Sequence, residues 1–270
     1  MSADPARSGP VASPLRHRMP LILPAAVAVA LVVIPLTALL LRADWAALPE
    51  HLSSPTVWPA VRLSLLTTST TVVISILVGT PLAWLLARST GRLATWLRAV
   101  LVVPLVLPPV VGGVALLLAY GRNGVVGASL GELFGIRIPF TPVAVVLAEV
   151  FVAMPFYVVA VEGAMRQVDR RYDAIAATLG ATPWHTFTRV ALPLAAPGIA
   201  AGAALAWARA LGEFGATITF AGNFVGTTQT APLAIYTALE QDPQAAIALS
   251  VVMLLVCVAV LGALRGRWVR

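Results

Sequence analysis

"DAIAATLGATPWHTFTRVALPLAAPGI", residues 173–199, is a run of small residues with a Gly in its first third, set in a chain of 270 residues that is 59% hydrophobic and 11% charged. Ala174, Ile175, Ala176, Ala177, Thr178 and Leu179 favour a short helix, and Gly180 suits the left-handed position that ends one. Thr182 followed by Pro183 reads as an N-cap and the first residue of a second helix, with Trp184, Phe187 and Val190 as its apolar contacts. Pro193 and Pro197 are expected to turn the chain back into the membrane. Two short helices joined at a Gly make a compact knob, a shape suited to a groove on another protein. The alternative is an ordinary tight connection, and the flanking sequence bears on the choice.

The flanks are apolar on a scale that a soluble domain does not reach. A mean hydropathy of +0.92 marks an integral membrane protein. Crossing a hydrocarbon core of about 30 Å takes roughly 20 helical residues. Runs of that length lie between charges at 21–41, 63–87 and 99–121, and again at 138–161, broken only by Glu149. A fifth, 194–220, holds Arg209 and Glu213, and a sixth, 245–264, has no charge. Lipid offers no partner to an unpaired backbone group, so these six runs are read as helices and the fold as an all-α membrane protein. The first run is too long for a secretory leader and is kept as a permanent span. Residues 1–19, rich in Pro, Ser and Arg, are read as a flexible tail, 20–265 as the membrane domain and 266–270 as a second tail.

All eighteen basic residues are Arg. With the N-terminus inside, thirteen fall on the cytoplasmic side and four outside (Arg42, Arg62, Arg122, Arg137), while Arg209 lies within a span. The positive-inside rule therefore places both termini, and the connection at about 166–193, in the cytoplasm. The same distribution explains the net charge of +7 and speaks against nucleic acid, because the arginines sit at span ends instead of forming one patch. A chain without Lys can carry neither a G-x-x-x-x-G-K-[ST] phosphate loop nor a Schiff-base Lys. Cys257 is the single cysteine and is read as a small buried apolar residue. His17, His51 and His185 lie in separate segments without ligand spacing, so no metal site is expected. No nucleophile and base stand at a recognisable spacing either, and the chain is not read as an enzyme.

The stretch from Ala177 to Ile199 resembles the cytoplasmic loop of importer-type ABC transporter permeases. There a Gly is followed after nine residues by an aliphatic residue, any residue, and Leu-Pro. Gly180, Val190, Leu192 and Pro193 keep that spacing, whereas the position of the family's acidic residue holds Ala174, with Asp173 one place earlier. A second stretch, "WARALGEFGATITFAGNFVGTTQTAPLAIY" (207–236), resembles the fifth span and outer loop of molybdate or tungstate permeases, with sulfate permeases as close relatives. The resemblance implies the type I importer fold and an ATPase-coupling role for Asp173, Ala174, Ala177, Gly180, Val190, Leu192 and Pro193. It also implies a homodimer in the cell membrane around one pathway, two ATPase subunits inside carrying ATP and Mg, and an extracytoplasmic oxyanion-binding protein outside. No cofactor is implied for this chain.

A tetrahedral dianion that must be released again suits hydroxyls, amides and backbone N–H groups better than a full countercharge. Thr217, Thr219, Asn223, Gly226, Thr227, Thr228 and Gln229 supply them, and with Arg209 and Glu213 they form the candidate pathway or gate; a solvated polar loop is the plainer alternative. Arg209 and Glu213, four apart, are expected to pair on one helix face. Pro104, Pro108, Pro109, Gly112 and Gly113 mark the third span as a candidate moving element. The rival functional class is an ATP-independent carrier or channel, for which Glu149 is the natural ion site. Within the importer class, a sulfate or thiosulfate permease is the alternative.

Overall fold

The computed structural model describes residues 19–54 and 56–265. Five of the counted arginines, Arg7, Arg16, Arg18, Arg267 and Arg270, lie outside them, as do nearly all of both expected tails.

The first helix, α1 (Met19–Arg42), belongs to a compact unit that ends at Ala43. Its side chains are exposed almost all round, including Leu23, Leu31 and Ile34. An apolar helix of that kind has lipid for its solvent. Residues from Asp44 onward form the other unit.

That unit begins with a short helix, α2 (Leu48–Ser53), followed by α3 (Val57–Ile74), a π-helical turn at Ser75–Gly79 and α4 (Thr80–Arg88). The three pieces form one span of 32 residues. The wide turn has a local cause: Pro81 has no N–H to give to residue 77, and its ring would crowd that residue's carbonyl in a regular α-helix.

The expected straight span at 99–121 is instead two helices, α5 (Arg92–Val106) and α6 (Pro109–Tyr120), bent by 116°. Leu107 and Pro108 each precede a proline and are extended, with ψ 132° and 131°. The residue before Pro is driven out of the α region, and two such residues in succession end a helix. A short helix, α7 (Gly127–Phe134), leads to α8 (Pro142–Gln167), whose N-cap Thr141 accepts from Ala144 N–H at 3.3 Å. Around α8 the unit is built: it packs on α3, α4, α5 and α6, and its own Ala148, Ala153, Tyr157 and Val161 are buried.

Next come α9 (Arg171–Thr178), α10 (Pro183–Thr186), a second π-helical turn at Phe187–Ala191, and α11 (Leu192–Leu211). Here the structure differs from the sequence reading, since Pro193 and Pro197 do not turn the chain. Residues 183–211 form one continuous helix of 29 residues. Leu192 N–H reaches back five residues to the Phe187 carbonyl, and this widened turn relieves the crowding that Pro193 would cause. Further along, α11 crosses α8 at close range, where a Cβ on Gly198 would lie 2.1 Å from the Ala164 Cβ. The fifth span stops at Leu211, short of the expected residue 220, and a break leads to α12 (Gly215–Phe220), packed on α6 and α8. Finally α13 (Ala231–Gln241) lies against α3 and α14 (Pro243–Arg265), the last span.

Candidate functional site

The loop quoted at the outset is closed by backbone chemistry. Gly180 has φ +78°, its N–H bonds the Ala177 carbonyl at 3.0 Å, and Ala181 N–H bonds the Ala176 carbonyl at 2.9 Å. This pair of bonds is the Schellman ending of α9, and the positive φ is the conformation that favours Gly. Thr182 Oγ1 accepts from His185 N–H at 3.2 Å and starts α10, with Pro183 first in it. The resulting corner exposes Ile175, Leu179 and Trp184, and Ile175 and Leu179 line a groove of about 560 Å³ together with Tyr172, Gly180, His185 and Val190. Phe187 is buried against Trp84, their ring centres 5.2 Å apart, whereas Trp184 remains 69% exposed.

The sequence-derived coupling residues do not all face the same way. Ala174, Ala177, Gly180 and Pro193 are exposed and Val190 borders the groove, while Leu192 packs on the core around Tyr157. Asp173 is turned inward. Its Oδ2 lies 2.7 Å from Arg88 Nε, and Arg88 also donates to the Met165 and Val168 carbonyls at 3.2 and 3.3 Å. One guanidinium thus holds the end of α4, the end of α8 and the first turn of α9. Arg170 adds a bond to the Ala87 carbonyl at 3.4 Å.

Beside it stands a second ionic joint that sequence reasoning missed. Glu162 of α8 receives Arg98 Nε of α5 at 2.7 Å and Arg166 of its own helix at 2.6 Å, and Arg98 also bonds the Ser89 carbonyl at 2.8 Å and the Leu86 carbonyl. The Glu162–Arg166 spacing of four was legible; the partner on α5, 64 residues away, was not.

Deeper in the bundle, Arg209 and Glu213 pair at 2.7 Å, Glu213 being almost wholly buried. They do not share one helix, however: Glu213 lies in the break after α11, and its Oε1 accepts the Ala216 N–H at 2.8 Å. The carboxylate therefore pairs with a charge at the end of α11 and also caps the start of α12. This break abuts the one in the third span. A Cβ on Gly215 would lie 2.9 Å from Pro109 Cβ and 3.1 Å from Val110 N, so the starts of α6 and α12 touch.

Glu149 is also buried, accepting from Thr67 Oγ1 at 2.8 Å and Thr71 Oγ1 at 3.0 Å. Those threonines belong to a stripe that runs along α3 into the π-helical turn after it, Ser64, Thr67, Thr68, Thr71 and Ser75, all buried. Spacings of three and four in "SLLTTSTTVVIS" could have revealed it. Ser64 Oγ accepts the Ala231 N–H at 2.7 Å and so secures α13.

The polar residues of the outer loop are distributed over different environments. Thr217, Thr228 and Gln229 are buried, Thr219 and Asn223 half-buried, and Gly226 and Thr227 exposed. Thr228 Oγ1 accepts from Phe224 N–H at 3.0 Å, Thr219 bonds back to the Gly215 carbonyl at 2.8 Å, and Asn223 donates to Thr237 at 3.0 Å. Thr217 Oγ1 is buried with no hydrogen-bond partner among the described residues.

Residues 79–270 match the family described as "Binding-protein-dependent transport system inner membrane component". The chain is 49% identical to the molybdenum transport system permease protein ModB of Mycobacterium tuberculosis (strain ATCC 25618 / H37Rv), over 88% of this chain and 89% of that protein. It is 42% identical to the ModB of Escherichia coli (strain K12), over 78% and 92%. Identity to the sulfate transport system permease protein CysT of the same strain is 34%, over 83% and 82%. The crystal structure of a bacterial ABC transporter involved in the import of the acidic polysaccharide alginate contains a chain of the same fold, with a TM-score of 0.74 at 14% identity, covering 93% of this chain and 94% of that one.

Proposed function

The chain belongs to the family of inner membrane components of binding-protein-dependent transport systems, and from that premise we infer that it is the permease subunit of an ABC importer for an oxyanion, molybdate before tungstate. The observation that carries the substrate is the near full-length identity to two molybdenum permeases, 49% and 42%, against 34% to a sulfate permease.

In this reading two copies of the chain enclose one pathway, with both termini and the α9–α10 corner in the cytoplasm. An ATPase subunit takes the exposed Ile175, Leu179 and Trp184 into a groove, and a loaded binding protein docks on the other side. The chain hydrolyses nothing itself, so it must offer two packings of similar stability and a handle that biases them.

The handle is the corner, and the ionic joints make a physical route from it. Displacing α9 pulls on Asp173 and Arg88, and so on the ends of α4 and α8. Glu162 and Arg98 pass the displacement to α5. From α5 the chain turns at Leu107–Pro108 into α6, whose start touches the start of α12. Two helix breaks at one place let α6 and α12 tilt together without disrupting a hydrogen-bonded ladder. Arg209 and Glu213 keep that pivot neutral at membrane depth, where an unpaired charge costs about 3 kcal/mol on insertion scales. Hydroxyl and amide donors around α12, Thr217 among them, suit brief contacts with a tetrahedral dianion.

Reconstituted uptake tests the reading. Proteoliposomes holding this chain, its ATPase and the cognate binding protein are expected to accumulate labelled molybdate only with ATP on the ATPase side, and to do so under a sulfate excess. Equal competition by sulfate would move the assignment to a sulfate permease, and uptake without ATP would move it to a carrier.

A further inference from the structure

Among the described residues one non-glycine residue has a positive φ: Phe140, at +64°. A bulky side chain in the left-handed region is strained, and strain of this kind lasts only where the surroundings hold it. Phe140 lies in the turn that enters α8. Pro142 drives Thr141 into an extended conformation, ψ 163°, and Thr141 Oγ1 donates to the Ile138 carbonyl at 2.6 Å, closing the turn around Phe140. The ring so presented meets Phe224 edge to face, with ring centres 5.9 Å apart and planes at 87°. Gly222 touches both rings. It too is left-handed, φ +77°, and a Cβ there would come within 2.9 Å of the Phe224 ring and 3.1 Å of the Phe140 ring.

Phe224 is the centre of a knot. Its carbonyl accepts from Thr227, Thr228 and Gln229 N–H at 3.0, 2.9 and 3.0 Å, and its own N–H donates to Thr228 Oγ1 at 3.0 Å. Residues 224–229 therefore hold their shape without help from α8, and they can leave Phe140 as a unit with every one of these bonds intact. Burial opposes the separation only weakly, since Phe140 and Phe224 are 49% and 54% exposed.

We propose that Phe140 is a spring-loaded latch on the loop that carries Asn223, Gly226, Thr227, Thr228 and Gln229. The ring contact holds the knot against the start of α8, and Phe140 relaxes to an ordinary backbone conformation when the knot swings away. The proposal rests on the importer reading, which sets this loop at the outer mouth, and adds the element that keeps the mouth shut between deliveries. Because the strain works against the ring contact, a tilt of α6 and α12 is enough to trip the latch.

The test uses the whole transporter, with its ATPase and binding protein, in proteoliposomes, and has two arms. In the first, Phe140→Cys and Phe224→Cys are combined, with Cys257, the single cysteine of the chain, changed to Ala, and the pair is bridged by a short bifunctional thiosulfonate. The bridged transporter is expected to lose ATP-driven uptake of labelled molybdate and to regain it when dithiothreitol cuts the bridge. Undiminished uptake through the bridge would overturn the latch, as would failure to bridge the pair in the absence of ATP. If the unbridged transporter took up no molybdate, the importer reading would fall, and the second arm, which needs no substrate, would still decide the latch. There Ala221, fully buried where the knot joins α12, is changed to Cys in the same Cys257→Ala chain, and its labelling by a membrane-impermeant maleimide is timed. Phe224→Ala deletes the ring contact but leaves Phe140 strained, and labelling should speed up about tenfold. Phe140→Gly deletes the same contact and the strain together, so labelling should be about tenfold slower than in Phe224→Ala. Unchanged labelling in Phe224→Ala would overturn the latch, and equal rates in the two variants would overturn the spring.

Discussion

Arg88→Gln is expected to cost stability and, disproportionately, coupling. The Arg88 side chain is 15% exposed and that of Asp173 26%, so their pair is neither fully solvated nor deep. Hydrogen bonds to charged groups contribute about 1.5 to 3 kcal/mol each, but the bonds to Met165 and Val168 are long, at 3.2 and 3.3 Å, which puts each at the low end of that range. With the ion pair discounted for its exposure to about 1 kcal/mol, Arg88→Gln should lose about 4 kcal/mol, less whatever Gln recovers. Asp173→Asn keeps the shape and one acceptor and should lose about 1 kcal/mol. Because the double variant loses the pair only once, the cycle should show a coupling energy of about 1 kcal/mol. Thermal unfolding of the purified complex reports the stability term, and ATPase stimulation by loaded binding protein reports coupling. Arg88→Gln should reduce stimulation in complexes that still assemble, since α9 then moves without dragging α4 and α8. Strictly additive losses in both assays would refute the joint.

Three further outcomes are expected. Gly180→Val forces a β-branched residue to φ +78° and should cost about 1 to 3 kcal/mol, whereas Gly180→Asn tolerates that conformation; equal transport by both variants, seen in vesicle uptake, would remove the argument from backbone strain. Glu213→Gln and Arg209→Gln should each lower the yield of folded protein more than the double change, since each strands one charge of the pair, and additive losses in a yield assay would contradict the pair. Glu149→Gln should leave uptake and its ATP dependence nearly intact, because the amide oxygen still accepts from Thr67 or Thr71; abolished uptake in a well-folded variant would return Glu149 to an ion-coupled role.

The features that the sequence determined by itself are those whose physics closes within a few residues. Hydropathy between charges located the spans because lipid acts on each segment separately. The Schellman ending at Gly180, the Thr182 cap and the Arg209–Glu213 contact involve partners no more than five residues apart. The tertiary structure decided whatever depends on residues far away in the chain. Asp173 reads as a free surface acid until Arg88, 85 residues earlier, is brought against it. Glu149 meets Thr67 across 82 residues, and Glu162 meets Arg98 across 64. Prolines lie between these cases. Pro108 and Pro109 broke their helix, since each forced its predecessor into an extended conformation, whereas Pro193 was absorbed by a π turn. A proline removes a donor wherever it stands, but whether the helix breaks or widens around it depends on the packing that holds the turn before it, and that packing exists only once the bundle has assembled.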